Sequence, residues 1–335
     1  MRKSIYMNIT TTTIGRDDKS QSMNVQSLLA TYDKRKILDI RKLDFVGVEG
    51  KDVYNITALF QNAGREYIAG RVEPREDELN SQVMFFFRKD DTWVLDEKAP
   101  ILNLQDPLVS IINGEFIFGG VETVLEQGMI DYSTVFYRGK DIYHLERFTQ
   151  GPRGMKDIRL TLLPQGNVGL FTRPQGTIGG NGRIGFMSIN SLENLSQLKH
   201  EDYFAAPLLS GNFKDDEWLG VGAAYPLKND LVGVGGHIAC YTEDNKKKKH
   251  KNYYPVTFAL HPQTNTPIGM KIIATRDDFP SGQSKDKTLQ NVLFLGGIIR
   301  HYDKNKTATA YFGAGDAESY AVKMQDPFLE YELGK

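Results

Sequence analysis

Short apolar runs broken by glycine, proline or polar residues fill most of the chain, and the apolar period of an amphipathic helix is scarce. Strand-like runs are predicted at 66–72, 83–87, 108–112, 115–119, 134–137, 142–147, 159–163, 168–172 and 183–188. They continue at 218–224, 231–240, 256–260, 271–275, 292–300 and 307–312. Many are rich in β-branched or aromatic residues, and Gly, Asn, Asp or Pro bounds them, as expected of strands and turns. Asn113-Gly114 between two apolar runs predicts a tight hairpin. Gly139-Lys140 and Gln165-Gly166-Asn167 predict similar reversals. The helical candidates are 22–32, ahead of the first strands, and a short insert at 191–198.

The strands group into five sets, near 50–98, 100–148, 155–210, 215–275 and 288–330. Serial four-stranded sets predict an all-β fold, a five-bladed β-propeller with a short N-terminal helical extension, because radial repetition hides sheet edges. The expected division is an extension and closure segment over 1–48 and the propeller over 49–335. Sequence similarity between the sets is too low to display the repeat directly.

Composition narrows the function classes. A formal net charge of −1 leaves no global field to attract nucleic acid or an anionic membrane. The basic run at 246–251 reads as a solvated loop. Cys240, the single cysteine, excludes an internal disulfide and reads as a packed residue of a reducing compartment. The first 15 residues lack a signal peptide's apolar stretch, and no run reaches the ~18 apolar residues that span a bilayer. A soluble cytoplasmic protein is expected. Six scattered histidines lack paired ligand spacing. The glycines at 176–182 form neither a Walker loop nor a dinucleotide fingerprint, since no Gly-Lys-Ser/Thr and no helix follow. Neither a metal nor a cofactor is therefore expected, and no Gly-x-Ser-x-Gly elbow occurs.

Charged residues crowd the strand ends. Asp106 precedes Pro107, which predicts an extended backbone and a carboxyl at the mouth of a buried strand. Burial would make it a usable general acid, while an ordinary Asp-Pro turn is the plainer reading. Arg71, Glu73 and Arg75 alternate and so share one side of a strand, either to read sugar hydroxyls or to form an ion-pair ladder. Lys156, Asp157, Arg159 and Arg173 place three cations around one acid, with Pro174-Gln175-Gly176 and Gly179-Gly180-Asn181-Gly182 following. Arginine forks suit phosphate oxygens, and glycines allow close backbone approach. A structural Arg–Asp network would use the same residues. His237 and Tyr225, each near a strand, read singly as core residues.

Three stretches together resemble the five-bladed enzymes of glycoside hydrolase family 130, the β-mannoside phosphorylases. Leu104-Gln105-Asp106-Pro107-Leu108-Val109 resembles that family's Glu-Asp-Pro-Arg-Val signature. Asn291-Val292-Leu293-Phe294 with Gly296-Gly297 resembles its penultimate strand, and Tyr311-Phe312-Gly313-Ala314-Gly315-Asp316 its Tyr-Tyr-Gly-Ala-Ala-Asp close. Gln105 and Leu108 depart from the signature's Glu and Arg. Val53-Tyr54-Asn55-Ile56-Thr57, Lys156-Asp157-Ile158-Arg159 and Arg173-Pro174-Gln175-Gly176 look closer to a divergent branch, the trypanosomatid mannosyltransferase-phosphorylases of glycosyltransferase family 108.

The resemblance implies an inverting β-1,2-mannoside phosphorylase or mannosyltransferase, with inorganic phosphate as co-substrate and a mannose-containing oligosaccharide or mannose 1-phosphate as partner. Asp106 would be the general acid. Phosphate would meet Arg173, Tyr225 and His237, with Arg159 and Lys156 in support. Arg71, Glu73, Asn55, Asp157, Gln175 and Asp316 would contact the sugar. Two other readings use the same fold: a hydrolase, which needs a second carboxylate such as Asp157 or Glu122, and a non-catalytic sugar-binding propeller. A homo-oligomer is compatible with all three.

Overall fold

Antiparallel pairing of consecutive strands gathers the chain into five sheets. The computed structural model describes residues 23–333 except 78, 79, 127, 212 and 303. The first blade comprises Asp52–Tyr54, Arg65–Glu73, Gln82–Lys89 and Thr92–Leu95, with Phe60–Asn62 also paired to Arg65–Glu73 and Phe45–Val46 running parallel to Thr92–Leu95 at the outer edge. The second comprises Gln105–Ile112, Glu115–Glu126, Met129–Gly139 and Glu146–Gln150. The fourth comprises Trp218–Pro226, Val232–Glu243, Lys249–His261 and Thr266–Ile272. Leu293–Arg300, Thr307–Ala314 and Glu318–Gln325 form the fifth. The expected five-bladed propeller is the fold.

Five buried apolar clusters lie at the blade junctions. Tyr67 and Phe85 of the first blade meet Phe116 and Phe118 of the second, for example. Phe171 and Phe186 of the third likewise meet Val234 and Phe258 of the fourth. Both faces of each sheet are therefore covered. That explains why many strands read as continuous apolar runs and not as strict alternation.

The third blade corrects the four-stranded expectation. It has only Arg159–Leu162, Val168–Thr172 and Gly185–Ile189. Two short helices follow, Leu192–Leu195 and His200–Ala205. Their Leu192, Leu195 and Tyr203 pack against the blade's core and cover the face that an outer strand would otherwise help to shield.

Of the N-terminal extension, residues 1–22 lie outside the described residues. The predicted helix appears as Val25–Ala30, with Asn24 accepting from the Ser27 N–H as its cap. Ile37–Lys42 then joins the fifth blade as its outermost strand, with Ile40 opposite Val322. No helix among the described residues is long and apolar enough to cross a membrane.

The first strand of every blade faces the common axis. Residues 57–61, 109–112, 160–162, 223–226 and 296–299 together line an axial cavity of about 480 Å³ at one end. The starts of the first strands and the ends of the second strands lie at the opposite end, and the charged residues collect there.

Candidate active site

Three blades begin with the same backbone device. Asn55, Asp106 and Asp157 have φ of 45°, 48° and 62°. Asn and Asp tolerate this left-handed region better than other side chains do. Gln105 faces Val121 and Leu108 faces Gly119, so Asp106-Pro107 forms a bulge in the ladder. The extended backbone predicted at Asp106 is thus corrected. Pro107 has no N–H to give the ladder, and the bulged Asp106 side chain reaches Asn55 and Arg71 of the first blade.

Asp106 is buried, and its Oδ1 accepts from Asn55 Nδ2 at 2.8 Å and lies 3.5 Å from Arg71 Nη1. A side chain at Gly313 would put its Cβ 2.3 Å from Asn55 Oδ1, so glycine is required where the fifth blade approaches. Arg71 lies over the Tyr54 ring, 5.0 Å from its centroid. Its Nε donates to Ser81 Oγ at 2.8 Å and to Glu73 Oε2 at 3.1 Å, and its Nη2 lies 3.0 Å from the same oxygen.

Glu73 also accepts from the Tyr54 hydroxyl at 2.5 Å, from the Ser81 hydroxyl and from Lys285 Nζ. Burial opposes its charge, but Arg71, Lys285, Ser81 and Tyr54 together hold its carboxyl below the ordinary range. Asp316 sits in the turn after Thr307–Ala314, where Gly315 and Asp316 both have positive φ. Burial raises its pKa to about 6, against the pull of Arg71, Lys285 and Lys251 and with a push from Asp106.

The third and fourth blades supply cations. Asp157 Oδ2 lies 3.2 Å from Arg173 Nη1, and its Oδ1 lies 3.9 Å from Arg159 Nη2. Burial opposes the Asp157 charge, yet Arg173, Lys156 and Arg159 hold its pKa low. Burial likewise opposes a charged Lys156, which Asp157 and Asp106 keep cationic. Arg159 donates to the carbonyls of Gly222 and Ile158 at 2.9 and 3.1 Å. Arg173 Nε donates to Leu219 O at 2.6 Å, while its buried Nη1 has no aligned acceptor among the described residues. Gly182, at φ +142°, backs onto this guanidinium, and a Cβ there would come within 2.8 Å of Nη2.

The His237 ring stacks on Tyr253 at 4.5 Å and 21°. Burial, with Arg173 adding to it, lowers its pKa to about 3, so the imidazole is neutral. A cavity of about 250 Å³ opens beside these groups, lined by Lys156, Arg173, Gln175, Trp218, Tyr241, Lys251 and Tyr253.

Residues 30–330 match the model of the family described as "Protein of unknown function (DUF1861)". The chain belongs to the DUF1861 family. Its fold and sequence are similar to MPT-4, a mannose phosphorylase from Leishmania mexicana solved with a phosphate ion. The two are 32% identical over 91% of this chain and 94% of that one, with a TM-score of 0.83. MPT-1, a GDP-Man-dependent mannosyltransferase from the same organism, is 31% identical over 90% of this chain and 94% of that one, at TM-score 0.80. A β-1,2-mannobiose phosphorylase from Listeria innocua shares the fold, at 16% identity over 85% and 93% of the chains and TM-score 0.56. A comparison with curated proteins found no match. The resemblance to the divergent branch, ahead of family 130, is borne out.

In this DUF1861 chain, Asn55, Arg71, Glu73, Asp106 and Asp316 form one group of the predicted residues. Lys156, Asp157, Arg159, Arg173 and His237 form another. Gln175 stands at the rim, accepting from the Tyr132 hydroxyl at 2.6 Å and donating to Asn181 O at 3.0 Å. Tyr225 is elsewhere. It lies seven residues beyond Trp218 along Trp218–Pro226, about 23 Å away at the usual strand rise. Its hydroxyl accepts from the Ile298 N–H at 2.5 Å in the axial cavity. Tyr253, which sequence reasoning passed over, occupies the expected position beside His237. Trp218, Tyr241, Lys251 and Lys285 were also missed. Spacing could have exposed the central trio, because Asn55, Asp106 and Asp157 recur every 51 residues.

Proposed function

We propose that this chain is an inverting β-mannoside phosphorylase and mannosyltransferase, converting β-1,2-linked mannosides and phosphate into α-mannose 1-phosphate, and running the reverse. The buried Asp106 together with the cluster of Lys156, Arg159 and Arg173 carries the reading. Asp106 gives its proton to the glycosidic oxygen as the anomeric C–O bond breaks. A phosphate oxygen, held by Arg173 and Lys156, attacks the opposite face of the anomeric carbon, which inverts the configuration. The released hydroxyl keeps the proton. In reverse, Asp106 takes the acceptor's proton and phosphate leaves.

Hydrolysis would need a second carboxylate free to activate water. Asp157 is clamped between Arg173 and Arg159. Glu122 is engaged by the Arg147 fork at 2.7 and 3.0 Å. Both candidates are thus held by arginines. The phosphorylase and transferase activities of the Leishmania relatives support the same choice, as does the phosphate ion bound to one of them.

The test is mannose 1-phosphate release from β-1,2-mannobiose, with and without phosphate, in the wild type and in Asp106→Asn. Phosphate-dependent release is expected, and the variant should lose about 10²–10⁴ in kcat, the range for a general acid. Free mannose formed without phosphate would establish the hydrolase instead. Full activity in the variant would remove Asp106 as the acid.

A further inference from the structure

Glu73 is too fully engaged to hold a sugar. Its side chain is fully buried, and donors from Tyr54, Ser81, Arg71 and Lys285 converge on its two oxygens. A carboxylate offers about four lone-pair sites, and these donors fill them. Lys285 reaches Glu73 from the connection between the fourth and fifth blades, 212 residues away in sequence. That connection is docked on the Asp316 turn. The Lys285 N–H donates to Gly315 O at 2.8 Å, and a Cβ on Gly315 would strike Ser284 at 2.9 Å. The Lys285 ammonium acts electrostatically on Asp316, and its side chain keeps 13% exposure at the rim of the site.

We propose that Lys285 contacts the mannosyl ring together with Asp316, and that Glu73 is the positioning residue that fixes Lys285 and Arg71. The inference rests on the phosphorylase reading for its substrate. An ammonium beside a carboxylate offers a donor and an acceptor to adjacent hydroxyls, a combination suited to a neutral polyol. Arg71, anchored from behind by Glu73, is held against Asp106. One buried carboxylate thereby aligns the sugar-binding cation with the cation beside the acid. The arrangement lies where the first and fifth blades meet.

Two measurements test the proposal. The first needs no substrate: acylation of individual lysines, followed by peptide mass, in the wild type and Glu73→Gln. Loss of the carboxylate should raise Lys285 labelling several-fold and leave Lys251 unchanged; equal Lys285 rates would overturn the anchor. The second is steady-state phosphorolysis of β-1,2-mannobiose by Lys285→Met. Loss of a charged hydrogen bond should raise the mannoside KM about tenfold or more, with the phosphate KM unchanged. An unchanged mannoside KM, or equal rises in both constants, would overturn the sugar contact. A wild type with no phosphate-dependent turnover would sink the phosphorylase reading. Calorimetric titration of mannose into the wild type and Lys285→Met would then decide the contact, which stands if the variant binds mannose at least several-fold more weakly and falls if it does not.

Discussion

The two halves of the site treat charge in opposite ways. On the side of the fifth, first and second blades, carboxylates converge: Asp106, Glu73 and Asp316, with Arg71 and Lys285 between them. On the side of the third and fourth, cations outnumber the single carboxylate Asp157 and pack beside a neutral histidine. In the proposed reaction Asp106 exchanges the proton and Asp316 accepts sugar hydroxyls on the first side, while the cations of the second hold phosphate. Such a division suits a displacement in which the leaving oxygen and the attacking phosphate occupy opposite faces of one carbon. It also means that each half can be damaged separately.

The most severe separation is expected at Arg173. Arg173→Met should raise the phosphate KM about a hundredfold and leave the mannoside KM nearly unchanged, given the 2–5 kcal/mol typical of a truncated buried pair. It should also destabilise the fold by about 3–5 kcal/mol, because Asp157 remains buried with fewer partners. Arg173→Met/Asp157→Asn should recover much of that stability in urea unfolding without recovering phosphate affinity. If affinity returns with stability, the arginine only supports the fold.

The halves should also respond oppositely to pH. The folded-state pKa of Asp316, about 6, lies above its unfolded value, so the native state binds its proton more tightly. Its contribution to stability is greatest near pH 4 and falls as pH rises to 6. His237, at about 3 in the folded state, lies below its unfolded value. It contributes fully above pH 6.5, and that contribution is lost as pH falls toward 3. Asp316→Asn should therefore stabilise the protein at pH 8, by on the order of 1 kcal/mol, and not at pH 4, while weakening mannoside binding. Urea titrations at both pH values decide this, and a destabilised variant at pH 8 would contradict the assigned burial cost.

Tyr225→Phe should have the smallest effect. Removing the hydroxyl costs about 1 kcal/mol of stability through the lost Ile298 bond, and the phosphate KM should not move. A raised phosphate KM would return Tyr225 to the cationic half.

The propeller was legible because punctuation by glycine and asparagine marks strand ends whatever the register. Asp106 was legible through its apolar flanks, although its backbone was misjudged: proline was read as enforcing extension, whereas the missing N–H opened a bulge. The exchange of Tyr225 for Tyr253 has a different cause. Which tyrosine lies beside His237 depends on the pairing of Val232–Glu243 with Lys249–His261, where Ala239 faces Tyr253. Strand pattern alone carries no register. Lys285 was illegible because it lies in an irregular connection, and only the tertiary fold brings it to Glu73.

The strand Ile37–Lys42 completes the fifth blade from the opposite end of the chain. During synthesis the blades emerge in order, so Asp106 and the cationic pocket can assemble while the ring is still open. Lys285, Asp316 and the partner strand at Glu318–Gln325 emerge last. The N-terminal strand must wait for them, and closing so long a loop is slow. A chain cut short before Asp316 would carry Asp106 and the cations but lack the end proposed to hold the sugar. The order of translation therefore withholds turnover until the ring is whole.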